Sequence, residues 1–261
     1  MRPGALRDAG RCPERTGLGI GRRRLMRMLP ALAALAVAPP ARAASPDGEL
    51  VLACDITLGP AMQAAADAYA GATGQRVNVF PTEPGLILPQ LEHTVQNDIV
   101  VTRLATMDAA VQSGIVGKDA PRGAWRNRLV VAALRGAPAI PAKPIAAVDP
   151  SPVADMNGPI ILERLGLHPA ATLGVIDTDE VAAVVLAGIA GAGLMHMTDL
   201  RVHPELRVVS EVSADVAPPI VYAAAVTTLA RRPGPAAFID FLMTSQGTAL
   251  LAAHGLEAAS S

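Results

Sequence analysis

Aromatic side chains are nearly absent from this chain: one tryptophan, two tyrosines and three phenylalanines among 261 residues. So few rings leave no stacking platform for bases, and a formal net charge of −1 supplies no basic footprint, which together exclude a nucleic-acid partner. Cysteine is scarce as well. Of the two, Cys12 falls in the N-terminal stretch treated below, so Cys54 stands alone, no intramolecular disulfide can form, and stability rests on the core. No apolar run reaches the roughly 20 residues that a membrane-spanning helix needs. The longest, residues 181 to 195, has fifteen residues with three glycines and reads as a buried helix passing into a buried strand. Also missing are a Gly-x-Ser-x-Gly elbow, a phosphate-cradling Gly-x-x-x-x-Gly-Lys loop and the zinc-protease helix motif, so the sequence offers no enzyme signature and no cofactor. Cys54 and His196 could in principle pair as nucleophile and base, but Cys54 ends an apolar strand and reads more simply as a small buried hydrophobe.

What is present begins with an export signal over residues 1–43. Arg22, Arg23, Arg24 and Arg27 form its basic region, Leu29 to Ala38 its apolar core, and Ala41-Arg42-Ala43 its small-residue cleavage site. The arginine run fits a twin-arginine signal as well as an ordinary basic region. Both imply export, hence a periplasmic protein. Removing that segment takes away nine arginines and two acids, which moves the formal charge from −1 to −8. The mature chain is acidic.

From Glu49 onward, strand-like and helix-like segments alternate. Glu49 to Cys54 reads as a buried strand, and Thr57-Leu58-Gly59-Pro60 as a helix start, with a hydroxyl for the cap and a proline for the first turn. A helix from Pro60 to Ala70, a strand over Arg76 to Phe80, a helix from Leu86 to Val95 and a strand over Asp98 to Thr102 complete a βαβ pattern. After Trp125 a strand spans Arg128 to Ala133, and the proline-rich stretch Pro138 to Pro152 connects it to a second α/β set. That set has helices near Pro159 to Leu165 and Asp179 to Ala187, and strands at Thr172 to Ile176 and Ala192 to Met195. A strand over Pro218 to Val226 and one or two helices from Pro235 to His254 close the chain. Such alternation predicts parallel sheets covered by helices on both faces, with ligands held beyond the carboxyl ends of the strands.

The order of these elements, with several short strings, resembles the molybdate-binding family of periplasmic receptors. The strings are Gly71-Ala72-Thr73-Gly74-Gln75-Arg76-Val77, Asn127-Arg128-Leu129-Val130-Val131-Ala132, Asp149-Pro150, Leu162-Glu163-Arg164-Leu165-Gly166-Leu167, Pro218-Pro219-Ile220-Val221-Tyr222 and Phe238-Ile239-Asp240-Phe241-Leu242. With the hydroxyl at the first helix start, they span nearly the whole mature chain. The resemblance implies a type II periplasmic binding fold: two α/β lobes with parallel-type sheets, joined by two crossing strands near Asn127–Ala133 and Pro219–Val226. Lobe 1 would comprise residues 48–126 and 222–261, and lobe 2 residues 127–221. It further implies a monomeric receptor that hands its solute to an ABC permease.

The family pocket holds a tetrahedral oxyanion with hydroxyls and with backbone N–H groups at helix starts. Thr57 takes the place of the first ligand serine. The second serine falls on Pro84, which has neither hydroxyl nor N–H, while Glu83 beside it repels a dianion and Thr82 is the nearest substitute. Gly158 and Thr178 take the backbone-donor positions, and His196 replaces a tyrosine. Each has a structural alternative: Thr57, Gly158 and Thr178 as plain helix caps, His196 as a buried polar group. A second reading keeps the receptor but changes the solute to a metal cation or small organic molecule held by Asp55, Glu83 and His196, with Cys54, Met195 and Met197 nearby. These are metal-ligand residue types, without a close ligand spacing.

Overall fold

A computed structural model describes residues 48–93, 97–137, 143–150, 157–167 and 172–259. The expected export signal lies outside the described residues.

The first lobe opens with β1 (Leu50–Asp55), a short 3-10 turn at Ile56–Leu58, and α1 (Gly59–Thr73). Pro60 in its first turn suits α1, and Gly74 ends it in the left-handed region at φ 78°, where a side chain is strained. Ala61, Met62, Ala65, Ala66 and Tyr69 recur at helical spacing and are buried, so α1 lies on the sheet by that stripe. There follow β2 (Val77–Thr82), α2 (Pro84–His93), β3 (Ile99–Arg103), α3 (Leu104–Gln112) and β4 (Arg122–Asn127). The second lobe contains β5 (Leu129–Leu134), β6 (Ile145–Val148), α4 (Gly158–Arg164), β7 (Thr172–Val175), α5 (Thr178–Leu186), β8 (Ala192–His196), α6 (Met197–Val202) and β9 (Leu206–Glu211). The chain then returns for β10 (Ile220–Val226), α7 (Pro235–Met243), α8 (Ser245–Ala253) and β11 (Leu256–Ala258).

These strands form two sheets, six-stranded in the order β11-β4-β10-β3-β1-β2 and five-stranded in the order β7-β6-β8-β5-β9. Each has a parallel core, β2-β1-β3 in one and β7-β6-β8 in the other, extended by antiparallel strands on one side. This is the two-lobed α/β architecture expected from the sequence. The outward crossing is nearly seamless: Asn127 still pairs with Ile220 in the first sheet, and Leu129 already pairs with His196 in the second. The return runs through residues 212–219 into β10.

Several elements escape the sequence pattern. The proline-rich connection holds β6, a four-residue strand inside the second sheet. The strand expected over Arg128 to Ala133 is β5, and a further strand, β4, precedes it and contains Trp125. The terminal helical region breaks at Thr244, whose hydroxyl accepts from the Gly247 N–H, and the two helices meet at 72°. No single helix among the described residues is long and apolar enough to cross a membrane.

Candidate functional site

Parallel strands deliver their carboxyl ends to the same edge of a sheet, and here the edges of the two sheets face each other. β1 ends in Asp55, β3 in Arg103 and β8 in His196, while the turn after β7 leads through Asp177 into α5. Between them is a cavity of about 20 Å³, room for one water-sized group. Its lining comes from both lobes: Ile56, Thr57, Glu83, Pro84 and Arg103 on one side, Val148, Asp177, Thr178 and His196 on the other. A wider opening of about 370 Å³ shares Ile56 and Thr57 and continues between the start of α1 and the acids Asp179 and Asp199.

On the first lobe the central ion pair is Arg103 with Asp55. The Arg103 Nε–H donates to Asp55 Oδ2 at 2.9 Å and the Thr102 hydroxyl to Oδ1 at 2.6 Å, so both oxygens of this fully buried carboxylate are engaged. Burial pushes the Asp55 carboxyl above its ordinary range, while Thr102 and the Arg103 guanidinium pull it back down. Thr57 Oγ1 lies 3.3 Å from the Tyr222 hydroxyl, whose pKa burial drives up to about 12, with the Asp55 charge acting in the same direction. The helical run from Ile56 into α1 has no acidic residue in its first turns and no side chain capping it. Its amino end therefore presents N–H groups and a positive dipole end beside Thr57.

The second lobe presents the opposite chemistry. Asp177 caps α5 by accepting the Glu180 N–H at 2.7 Å, and Asp179 and Glu180 fill the first turn, so that helix start is already supplied with negative charge. Burial raises the Asp179 carboxyl, reinforced by Asp199 and Asp177. His196 is buried, and Asp199 Oδ2 holds it twice: the backbone N–H donates at 3.0 Å and Nδ1 sits at 3.1 Å. This double contact fixes the ring's orientation, with Nδ1 turned to Asp199 and Nε2 on the far side of the ring. Nε2 is buried with no hydrogen-bond partner among the described residues. Glu83, from the first lobe, meets this acidic wall, and its carboxyl is raised first by burial and then by Asp177, with Arg103 opposing.

The structure thus brings together four residues singled out in the sequence, Thr57, Glu83, Thr178 and His196, and leaves three outside the lining. Asp55 stands behind Arg103 as its counter-ion. The Thr82 hydroxyl is directed elsewhere, donating to Gln90 Oε1 at 2.6 Å. Gly158 packs against β6, where an added Cβ would come within 2.6 Å of Ala147 Cβ and 2.8 Å of the Val148 carbonyl; its role there is the close approach of α4 to the sheet. The soft-ligand idea also finds no geometry. Cys54 is buried with its thiol pushed well up by burial, Met195 and Met197 belong to the second-lobe core, and no three His, Cys, Asp or Glu side chains converge for a metal among the described residues.

Arg103 and Asp177 line the cavity without having been picked out in the sequence. A signal for Arg103 existed. Asp55 and Arg103 are opposite charges ending two apolar strands, and once β1 and β3 are adjacent and parallel they must meet.

Comparison with known proteins agrees with this architecture. The family model for bacterial extracellular solute-binding proteins matches residues 50–257. The periplasmic molybdate-binding protein of Azotobacter vinelandii superposes with a TM-score of 0.66 at 14% identity, covering 81% of this chain and 100% of that one. The sulfate-binding protein SubI of Mycobacterium tuberculosis gives 0.60 at 14% identity, with 81% and 87% covered. Iron-bound HitA of Pseudomonas aeruginosa gives 0.54 at 15%, with 78% and 84% covered. No curated protein matches by sequence. At these identities the shared property is the type II fold, and the three names differ in what is bound.

Proposed function

Because this chain belongs to the bacterial extracellular solute-binding proteins, the receptors of ABC-type import rather than enzymes, we propose that its interlobe cavity captures a small oxyanion of the molybdate type. The observation that carries this reading is the first-lobe wall: the uncapped amino end of the run entering α1, the Thr57 hydroxyl and the Arg103 side chain meet at one cavity. Oriented N–H dipoles and a hydroxyl replace the water shell of an anion, and the positive charge of Arg103 at the same wall favours a negative solute. Thr178 faces the same cavity from the opposite lobe.

Function then follows from closure. The cavity lies between the lobes, so the lobes part for entry and shut over the solute by bending at the crossings near Arg128 and residues 212–219. The solute's contacts to both walls exist only in the closed form, which is what shifts the population toward it and what a permease would read. The alternative of a metal cation on Asp55, Glu83 and His196 loses Asp55, whose oxygens are taken by Thr102 and Arg103.

Thermal melting of the purified protein tests the reading. One or more of molybdate, tungstate, sulfate and phosphate at millimolar concentration should raise the Tm by several degrees, and Thr57→Val should abolish most of that rise. If none of the four shifts the melting curve, the oxyanion reading falls.

A further inference from the structure

We infer that a hollow on the second lobe, separate from the cleft, docks an extended acidic segment of a protein partner in which carboxylates alternate with apolar side chains. The inference is independent of which solute the cleft holds.

The hollow, about 480 Å³, lies between α6 and β9 and shares no lining residue with the interlobe cavity or its wider opening. Charge sets it apart. Residues 44–261 carry a formal charge of −8, and residues 127–221 contain six Lys and Arg against ten Asp and Glu. Yet four of those six, Arg128, Arg135, Arg201 and Arg207, line this one hollow, with Glu211 the only acid among its described lining residues. Arg128 is already paired, with Glu211 and with Glu257 of the first lobe, each at 2.9 Å. The other three have no carboxylate partner among the described residues. Arg135 donates to the Pro204 carbonyl at 2.6 Å, Arg207 to the Ala137 carbonyl at 2.6 Å, and Arg201 is exposed with no hydrogen-bond or ion-pair partner. Three cations gathered without counter-ions repel one another, and an anionic partner relieves that repulsion.

Shape narrows the partner. Leu200 and Val208, both half-buried, form an apolar floor with Met197 and Leu206 beneath the arginine rim. β9 is the edge of the second sheet and pairs, among the described residues, only with β5, so an extended segment can lie along it as an added strand with every second side chain over the hollow. A membrane surface fits less well. A bilayer is flat where this site is concave, and an anionic one repels a protein of charge −8, whereas a short peptide feels chiefly the charges within a Debye length of about 8 Å. α6 gives docking here a bearing on the solute: Thr198, Asp199 and Val202 line the opening of the cleft, while Leu200, Arg201 and His203 line the hollow, so one helix faces both.

Fluorescence anisotropy of the purified protein at low ionic strength, with a short labelled peptide of alternating glutamate and valine, tests the inference. The peptide should bind with a Kd on the order of 100 µM or lower, and Arg201→Glu should weaken it about tenfold by removing one attraction and adding one repulsion. Arg201→Gln, which removes the charge without reversing it, should weaken it about threefold. Arg231→Glu, at an exposed arginine of the first lobe, should change it by less than about twofold. A glutamate–serine peptide of equal charge, which has nothing to offer the apolar floor, should bind at least about fivefold more weakly. Absence of glutamate–valine binding at about 1 mM peptide, equal binding of the serine peptide, or an equal loss in Arg231→Glu overturns the inference. So does Arg201-dependent binding to phosphatidylglycerol vesicles in place of the peptide, which would assign the hollow to a lipid surface.

Discussion

The two lobes share a plan and differ in what fills them. All six aromatic residues, Tyr69, Phe80, Trp125, Tyr222, Phe238 and Phe241, lie in elements of the first sheet and its helices, and residues 128–219 contain none. Tyr69 and Phe238 meet edge to face at 5.2 Å and 80°, with Phe241 stacked against Phe238 at 6.4 Å, so the helical layer of the first lobe is built on rings. The second lobe packs valine, alanine, leucine and methionine instead, and brings its layers together through glycines. Large side chains fill a wide gap between layers, and their absence requires a narrow one.

The difference predicts opposite vulnerabilities: the first lobe should suffer most from deletion, the second from addition. Phe238→Ala removes a fully buried ring and should cost about 3–5 kcal/mol in urea denaturation, the largest effect expected here. Gly193→Ala adds one carbon to β8, placed 2.4 Å from Val181 Cγ1 and 3.1 Å from Val185 Cγ2, which forces α5 off the sheet. It should cost about 1–3 kcal/mol, although alanine in a strand interior is ordinarily favoured over glycine. A Gly193→Ala protein as stable as the parent would show that α5 is not held closely and would dissolve the contrast.

The same contrast decides what could be seen in the sequence. The βαβ core of each lobe is legible because its strands are apolar runs, and in the first lobe Pro60 and Gly74 punctuate α1 locally. β6 is not legible: four residues flanked by Pro144, within a proline-rich stretch, are too short to show a period, and only pairing with β7 and β8 makes them a strand. β4 hides for another reason, since Arg122-Gly123-Ala124-Trp125-Arg126-Asn127 is too polar to resemble a strand and is held between β10 and β11. At the site, the family resemblance pointed to Thr57, Thr178 and His196, which line the cavity. Gly158 had equal local credentials, yet the close packing of α4 on β6 turns it to the sheet. Arg103 is invisible locally because an arginine ending a strand looks like a solvated charge. Its meaning is created by Asp55 on the neighbouring strand.

The electrostatic side of the contrast yields the smallest effect. Glu83 belongs to the first lobe but faces Asp177 and Asp179 of the second, and burial and those acids raise its carboxyl above the ordinary range. A carboxyl whose pKa is higher folded than unfolded favours the folded form when protonated, so this group's destabilising effect is present at neutral pH. It fades as the pH falls through the raised value toward about 4.3, the ordinary glutamate value. Glu83→Gln mimics the protonated state. It should therefore raise the Tm at neutral pH by about 2 °C, solvent screening keeping the effect small, and the gain should vanish as the pH falls to that lower limit. A gain that persists unchanged across that range would assign it to packing rather than to charge, and Glu83 would then be indifferent to the acids opposite it. A gain that tracks the titration would show that the ionised Glu83 carboxylate is held at a cost in the folded cleft, through its burial first and the acids opposite it second.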